Sequence, residues 1–238
     1  FLSLLLRSSN EVRPTLFDAS DGSRLGEAPY HSALVALSPD GSKLAASQRY
    51  GKELFVATTK GGKILLQEQH AEAISGIAFS TDGRSLLSAS KNKVIVVWNL
   101  ENGQAARTYT GHSWGPTQMI VSPDNKWVFS AAPNPGITSA PPYRELELHI
   151  WELETGRRIY THTLKDVWFV ALSPDWRKLL TCSRKIHAGL YDTASGKETY
   201  RLEGHTRPVS AAAFTADNRF VVTGGNDDWI IMWGLPEE

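Results

Sequence analysis

One cysteine, Cys182, stands in 238 residues, so no disulfide forms within the chain. That usage fits a reducing compartment, and a cytoplasmic protein is expected. Net charge is also lacking: 25 basic and 25 acidic side chains cancel. No global electrostatic pull toward nucleic acid or an anionic membrane is expected, which still allows a local patch. No hydrophobic run reaches membrane-spanning length. The apolar opening, residues 1–6, lacks a basic flank and a small-residue cleavage pattern, and reads as a strand. The chain does not begin with Met, so it reads as a fragment or a processed piece. No phosphate loop is present, because Gly224-Gly225 have no Lys-Ser/Thr after them. Tight groups of His and Cys are missing too, so no metal and no other cofactor is expected.

What the chain has is repetition. A polar turn recurs as Ser38-Pro39-Asp40-Gly41, Ser80-Thr81-Asp82-Gly83, Ser122-Pro123-Asp124-Asn125, Ser173-Pro174-Asp175-Trp176 and Thr215-Ala216-Asp217-Asn218. Its first residues are spaced 42, 42, 51 and 42 apart. Pro and Asp preset such a turn, and Gly or Asn at its end accepts positive φ. Ser88, Thr181 and Thr223 each precede an aromatic by ten residues, at Trp98, Tyr191 and Trp233. His70, His112 and His205 each precede a turn by ten. Strand-length apolar runs fill the spaces between turns, as at 209–214, 220–222 and the run ending at Trp233.

These marks resemble the WD-repeat β-propeller family. The carrying residues are Gly111-His112, Gly204-His205, the five turns, and Trp98-Asn99, Trp151-Glu152 and Trp233-Gly234 at strand ends. The likeness covers almost the whole chain and implies an all-β propeller of four-stranded antiparallel blades. We expect one domain over 1–238 with about six blades visible, the first and last incomplete. Twenty-two strands are expected; either the chain is cut from a longer one, or its two partial ends pair to close the ring. Blade four carries about 11 extra residues between Ser130 and Trp151, within 131–143. Pro133, Pro135, Pro141 and Pro142 there argue for a stiff extended loop rather than a ladder strand. Cys182, inside a strand, is expected to be buried packing.

The resemblance implies a buried hydrogen-bonded tetrad of His205, Thr223, Asp227 and Trp233 in the last blade. It implies a weaker set of His70, Ser88, Asn92 and Trp98, with Asn in place of the acid, and a third of His112, Ser130 and Trp151. The hydroxyl, imidazole and carboxylate also spell a hydrolase set. A nucleophile needs an exposed hydroxyl and an oxyanion pocket, so the structural reading is preferred and no catalytic residue is expected. His149 is expected to be a satisfied or exposed strand residue.

Function then falls to the loops. In the family this resembles, the loops joining the fourth strand to the next blade and the second strand to the third share one face. Candidates there are Trp114, Tyr143, Arg207, Lys91, Arg184, Arg49 and Tyr50; Lys93 and Lys185 extend a basic patch whose plain reading is ordinary solvated charge. Trp114 has a plain reading too, as a plug folded on its own loop. Trp127 and Trp176 fall near turns on the opposite face. The expected role is a non-catalytic scaffold binding a protein or peptide on the loop-rich face. The alternative is a regulatory or sensor propeller attached to a missing catalytic domain.

Overall fold

The computed structural model describes residues 3–5, 15–17, 24–27, 32–48, 50–60, 62–134, 145–165, 167–183, 185–193 and 195–236. Among them lie 22 strands and no helix. The first sheet runs β1 (Ser3–Leu5), β2 (Thr15–Phe17), β3 (Arg24–Glu27). The second runs β4 (Ser32–Leu37), β5 (Lys43–Gln48), β6 (Glu53–Thr58), β7 (Ile64–Gln69). The third runs β8 (Ile74–Phe79), β9 (Ser85–Ser90), β10 (Ile95–Asn99), β11 (Gln104–Tyr109). The fourth holds β12 (Gln118–Val121), β13 (Trp127–Pro133), β14 (Glu145–Glu152), β15 (Arg158–Lys165). The fifth holds β16 (Val167–Leu172), β17 (Lys178–Ser183), β18 (His187–Asp192), β19 (Glu198–Glu203). The last has three strands, β20 (Val209–Phe214), β21 (Phe220–Gly225) and β22 (Ile230–Gly234). Sheet neighbours are also neighbours in sequence, as in a meander.

The recurring turn joins the first strand of a sheet to the second. Its carboxylate organises it: the Ser38 hydroxyl donates to Asp40 at 2.5 Å, and Ser42 donates through both its amide and its hydroxyl. These hydroxyls hold the Asp40 carboxyl well below the usual carboxylate range. Gly41 N–H closes onto Ser38 O at 2.8 Å with Gly41 in the left-handed region, φ 69°. Gly83, Asn125, Trp176 and Asn218 take the same conformation at the same place. Trp176 is the costly occupant, because its Cβ crowds the backbone there.

Two compact units are present: residues 1–132 with 149–161, and residues 133–148 with 162–238. In the first, the third sheet is buried on both faces because side chains alternate along a strand. On β9, Leu86 packs with Leu54, Val56, Leu66, Ile74 and Trp98. Its neighbour Leu87 packs the other way with Ile95, Val97, Tyr109, Val128 and Trp151. In the second unit the core is Leu180, Cys182, Ala188, Leu190, Leu202, Val209 and Val221. Cys182 is buried, and burial pushes its thiol up to about 12, which leaves it unreactive at neutral pH.

One expectation about the insertion changes. β13 continues through Ala131 and Ala132 to Pro133, and Asn134 N–H still donates to Glu145 O at 2.7 Å. A proline at a strand end gives up no ladder bond that matters, so Pro133 does not stop the strand. The rest of the 131–143 stretch, from 135 on, lies outside the described residues, with Pro135, Pro141 and Pro142.

Candidate functional site

The buried polar sets come first, because they decide whether chemistry is available. In the third sheet Trp98 Nε1 donates to Ser88 Oγ at 2.7 Å, and His70 Nε2 meets the same oxygen at 2.7 Å. Ser88 is fully buried, and burial lowers the His70 pKa. In the fourth, Trp151 Nε1 donates to Ser130 Oγ at 2.8 Å and His112 Nε2 lies at 2.6 Å. In the last, Trp233 Nε1 donates to Thr223 Oγ1 at 2.8 Å, His205 Nε2 lies 2.8 Å from it, and His205 Nδ1 donates to Asp227 at 2.9 Å. An indole only donates, so each hydroxyl accepts from Trp and can pass its own proton to a bare Nε2. His205 then carries its proton on Nδ1, facing the acid. Burial of Asp227 opposes its charge, yet bonds from His205 and the Thr206 and Trp229 amides outweigh it and hold the carboxyl well below its ordinary value.

Glycine makes room for this set. A Cβ at position 204 would stand 2.8 Å from Trp233 Cη2, and one at 225 would collide with both Asp227 and His205.

Asn92 departs from the expected set. Its Oδ1 accepts the Ser90 hydroxyl and the Val94 amide at 3.2 Å, closing its own turn rather than reaching His70. Where the third sheet has Ser90, the last has Gly225, whose missing side chain frees the acid and leaves space for the imidazole. His149 also settles one way: it is fully buried, its ring centre 4.1 Å from His112, with Nδ1 2.9 Å from Thr161 Oγ1. His112 and His149 each offer an imidazole nitrogen able to ligate a metal. None of the three hydroxyls reaches solvent as a nucleophile would need, each being at most 1% exposed.

The exposed candidates divide by position. Tyr143, Arg49 and Arg184 lie outside the described residues. Arg207 and Lys185 are exposed in the second unit. Tyr50, Lys91 and Trp114 come together in the first. Lys91 Nζ sits 5.2 Å from the Tyr50 ring centre, and Lys93 Nζ 6.0 Å from that of Trp114. Such pairs contribute about 0.5–1 kcal/mol each at exposed sites. Tyr50 is 68% exposed and Trp114 half-buried. The loops beneath are stitched through backbone: Ile74 N–H to Gly51 O at 2.8 Å, and Lys91 N–H to Ala73 O at 2.9 Å.

Residues 62–99, 103–134 and 196–234 match the family described as WD domain, G-beta repeat. The chain carries WD repeats. The matched stretches hold the His–Ser/Thr–Trp sets of the third and last sheets and most of the fourth. Relatives agree: Nuclear distribution protein PAC1 of Arthroderma benhamiae is 28% identical over 71% of this chain and 37% of its own length. Periodic tryptophan protein 2 of Arabidopsis thaliana is 24% identical over 85% of the chain and 22% of its own. Echinoderm microtubule-associated protein-like 4 of mouse is 25% identical over the whole chain and 27% of its own. The WD-repeat chain thus spans between a fifth and two-fifths of the length of these relatives. Among the described residues no helix is long and apolar enough to cross a membrane.

Two parts of the WD-repeat surface escaped the sequence reading. Gly115 lets the Trp114 loop lie against the next turn, where a Cβ would stand 2.8 Å from Lys91 Cα. The Ser75 hydroxyl pins that loop by donating to Pro116 O at 2.5 Å. A glycine between Trp and Pro was the available signal.

Proposed function

We propose that the chain is a non-catalytic scaffold that binds a protein or peptide through the loops around Trp114. The observation that carries this reading is the contrast in exposure. The hydroxyls of Ser88, Ser130 and Thr223 are each buried under an indole, while Tyr50, Lys91, Lys93 and Trp114 gather where a partner can reach them. Aromatic and cationic groups in a pre-ordered surface are favoured anchors. The named relatives lend support as WD-repeat proteins.

Affinity capture with the full chain, wild type against Trp114→Ala, tests the reading. Partners retained by wild type should lose at least about tenfold in affinity in the variant, the cost of one central anchor. Unchanged affinity at unchanged melting temperature removes Trp114 from the site. Hydrolytic turnover abolished by Asp227→Asn without loss of stability would overturn the non-catalytic reading.

A further inference from the structure

We propose that the loops of the first unit form a docking surface for an acidic peptide segment, with Lys91 and Lys93 as its cations and Tyr50 and Trp114 as its apolar walls. This rests on the interaction reading above and adds the partner's chemistry.

The surface is continuous and pre-ordered. Tyr50 lies beneath Lys91, and the Lys91 backbone abuts Gly115, whose neighbour Trp114 lies beneath Lys93. Hydrogen bonds from Ile74 N–H to Gly51 O and from Lys91 N–H to Ala73 O tie the loops, and the Ser75 hydroxyl locks Pro116 by donating to its carbonyl. A partner therefore meets walls already in place and loses less entropy in ordering them.

Charge selects the partner. Neither Lys91 nor Lys93 is ion-paired among the described residues; each ammonium rests on an aromatic ring. Lys52 adds a third cation, its Nζ held by Ala71 O at 2.6 Å. Against these three cations stand two acids in the same stretches, Glu53 beside Lys52 and Glu72 in the 70–74 loop. The patch is thus locally positive in a chain of zero net charge, and an acidic segment is its complement. A long polyanion such as nucleic acid gains most from many phosphate contacts, and this patch offers three cations.

Backbone strain points the same way. Tyr50 (φ 58°) and Lys93 (φ 72°) occupy the left-handed region, which Gly or Asn enters more easily. At the matching place in the last sheet the residue is Asp228, at φ 65°. Lys93 N–H bonds Ser90 O as Asp228 N–H bonds Gly225 O, so the turn itself does not require lysine. The lysine's distinguishing contact is the one that sets its ammonium over Trp114. Strain of this kind is retained where a side chain has a task.

The test uses the full chain and three probes: a fluorescein-labelled octapeptide alternating Glu and Leu, its Lys and Leu counterpart, and a single-stranded DNA octamer. Fluorescence anisotropy should show the acidic peptide binding at least about tenfold more tightly than the basic one, and more weakly as salt rises. Lys91→Gln with Lys93→Gly should remove most of that binding, while Lys197→Gln should leave it intact. Lys93→Gly frees a strained residue, so a maintained or raised melting temperature rules out unfolding as the cause. Equal binding of the two peptides, tighter binding of the DNA, or a double variant that binds like wild type overturns the proposal. If captured partners survive the double variant but not Trp114→Ala, the scaffold reading stands and the acidic chemistry falls.

Discussion

The third sheet and the last sheet carry the same polar motif in opposite surroundings. β9 is buried along nearly its whole length, whereas β21 alternates between buried and half-buried, and β22 leaves Ile230 79% and Met232 65% exposed. Yet the last sheet has the fuller hydrogen-bonded set, with Asp227 joined to His205, while the third sheet's Asn92 turns away. The polar chain therefore does not depend on being packed on both faces. It is assembled locally, by the turn before the third strand and by the absence of a side chain at position 225. Apolar burial, by contrast, comes from whatever covers the sheet.

That separation is easiest to break with matched truncations. Leu86→Ala should cost about 2–5 kcal/mol, because it leaves a cavity between packed side chains. Ile230→Ala should change stability by less than about 0.5 kcal/mol, since its side chain already faces solvent. Urea unfolding followed by tryptophan fluorescence measures both. Equal losses would mean that the outer face of β22 is covered in solution, most simply by a second copy, which sedimentation at rising concentration would reveal.

A second pair sharpens the role of position 225. Gly225→Ala should cost about 1–3 kcal/mol, because the new Cβ drives into Asp227 and His205. Its mirror image is Ser90→Gly with Asn92→Asp, which removes the competing hydroxyl and supplies the acid. That double change should bring a carboxylate to His70, seen as a raised His70 pKa in an NMR titration. Asn92→Asp alone should not, since Ser90 still holds the turn.

The fold was legible because its signals are local and repeated. Pro, Asp and Gly or Asn set each turn without help from the rest of the chain. The ten-residue step from Ser88 to Trp98 is a hairpin distance: Ser88 pairs with Val96, and Trp98 lies two residues on, on the same face. Asn92 was misread because its likeness to Asp is chemical, while its direction depends on Ser90. The ring contact of His149 with His112 joins residues 37 apart across an insertion that breaks the register. The cation–aromatic pairs join loops of different repeats, and no pattern within one repeat announces them.

Acid should unsettle the first unit in two stages. Burial lowers the His70 pKa, so this group favours the fold while neutral; its contribution is complete above about 6.5 and is lost as pH falls below that. Asp40, Asp82 and Asp124 have lowered pKa values, so their contribution is full above about 3.8 and disappears below it. Melting temperature against pH should therefore decline below 6.5 and again below 3.8. Asp40→Asn should flatten only the second step. A single step near 3.8 would show that His70 is as well solvated in the native state as in the unfolded chain.

A modest effect tests the turn itself. Trp176 holds the left-handed place that Gly41, Gly83, Asn125 and Asn218 fill elsewhere, at φ 64°. An L residue there costs roughly 1–2 kcal/mol, and glycine removes that cost. Against this stands the packing of a half-buried indole and the extra freedom glycine brings to the unfolded chain. Trp176→Asn avoids the second penalty and accepts the same φ, so it should stabilise by up to about 1 kcal/mol, and Trp176→Gly by less. A loss of more than about 1 kcal/mol in both variants would mean that the indole packs well enough to outweigh its own strain. The repeat would then tolerate an ill-suited backbone residue for its side chain, as at Lys93 and Tyr50.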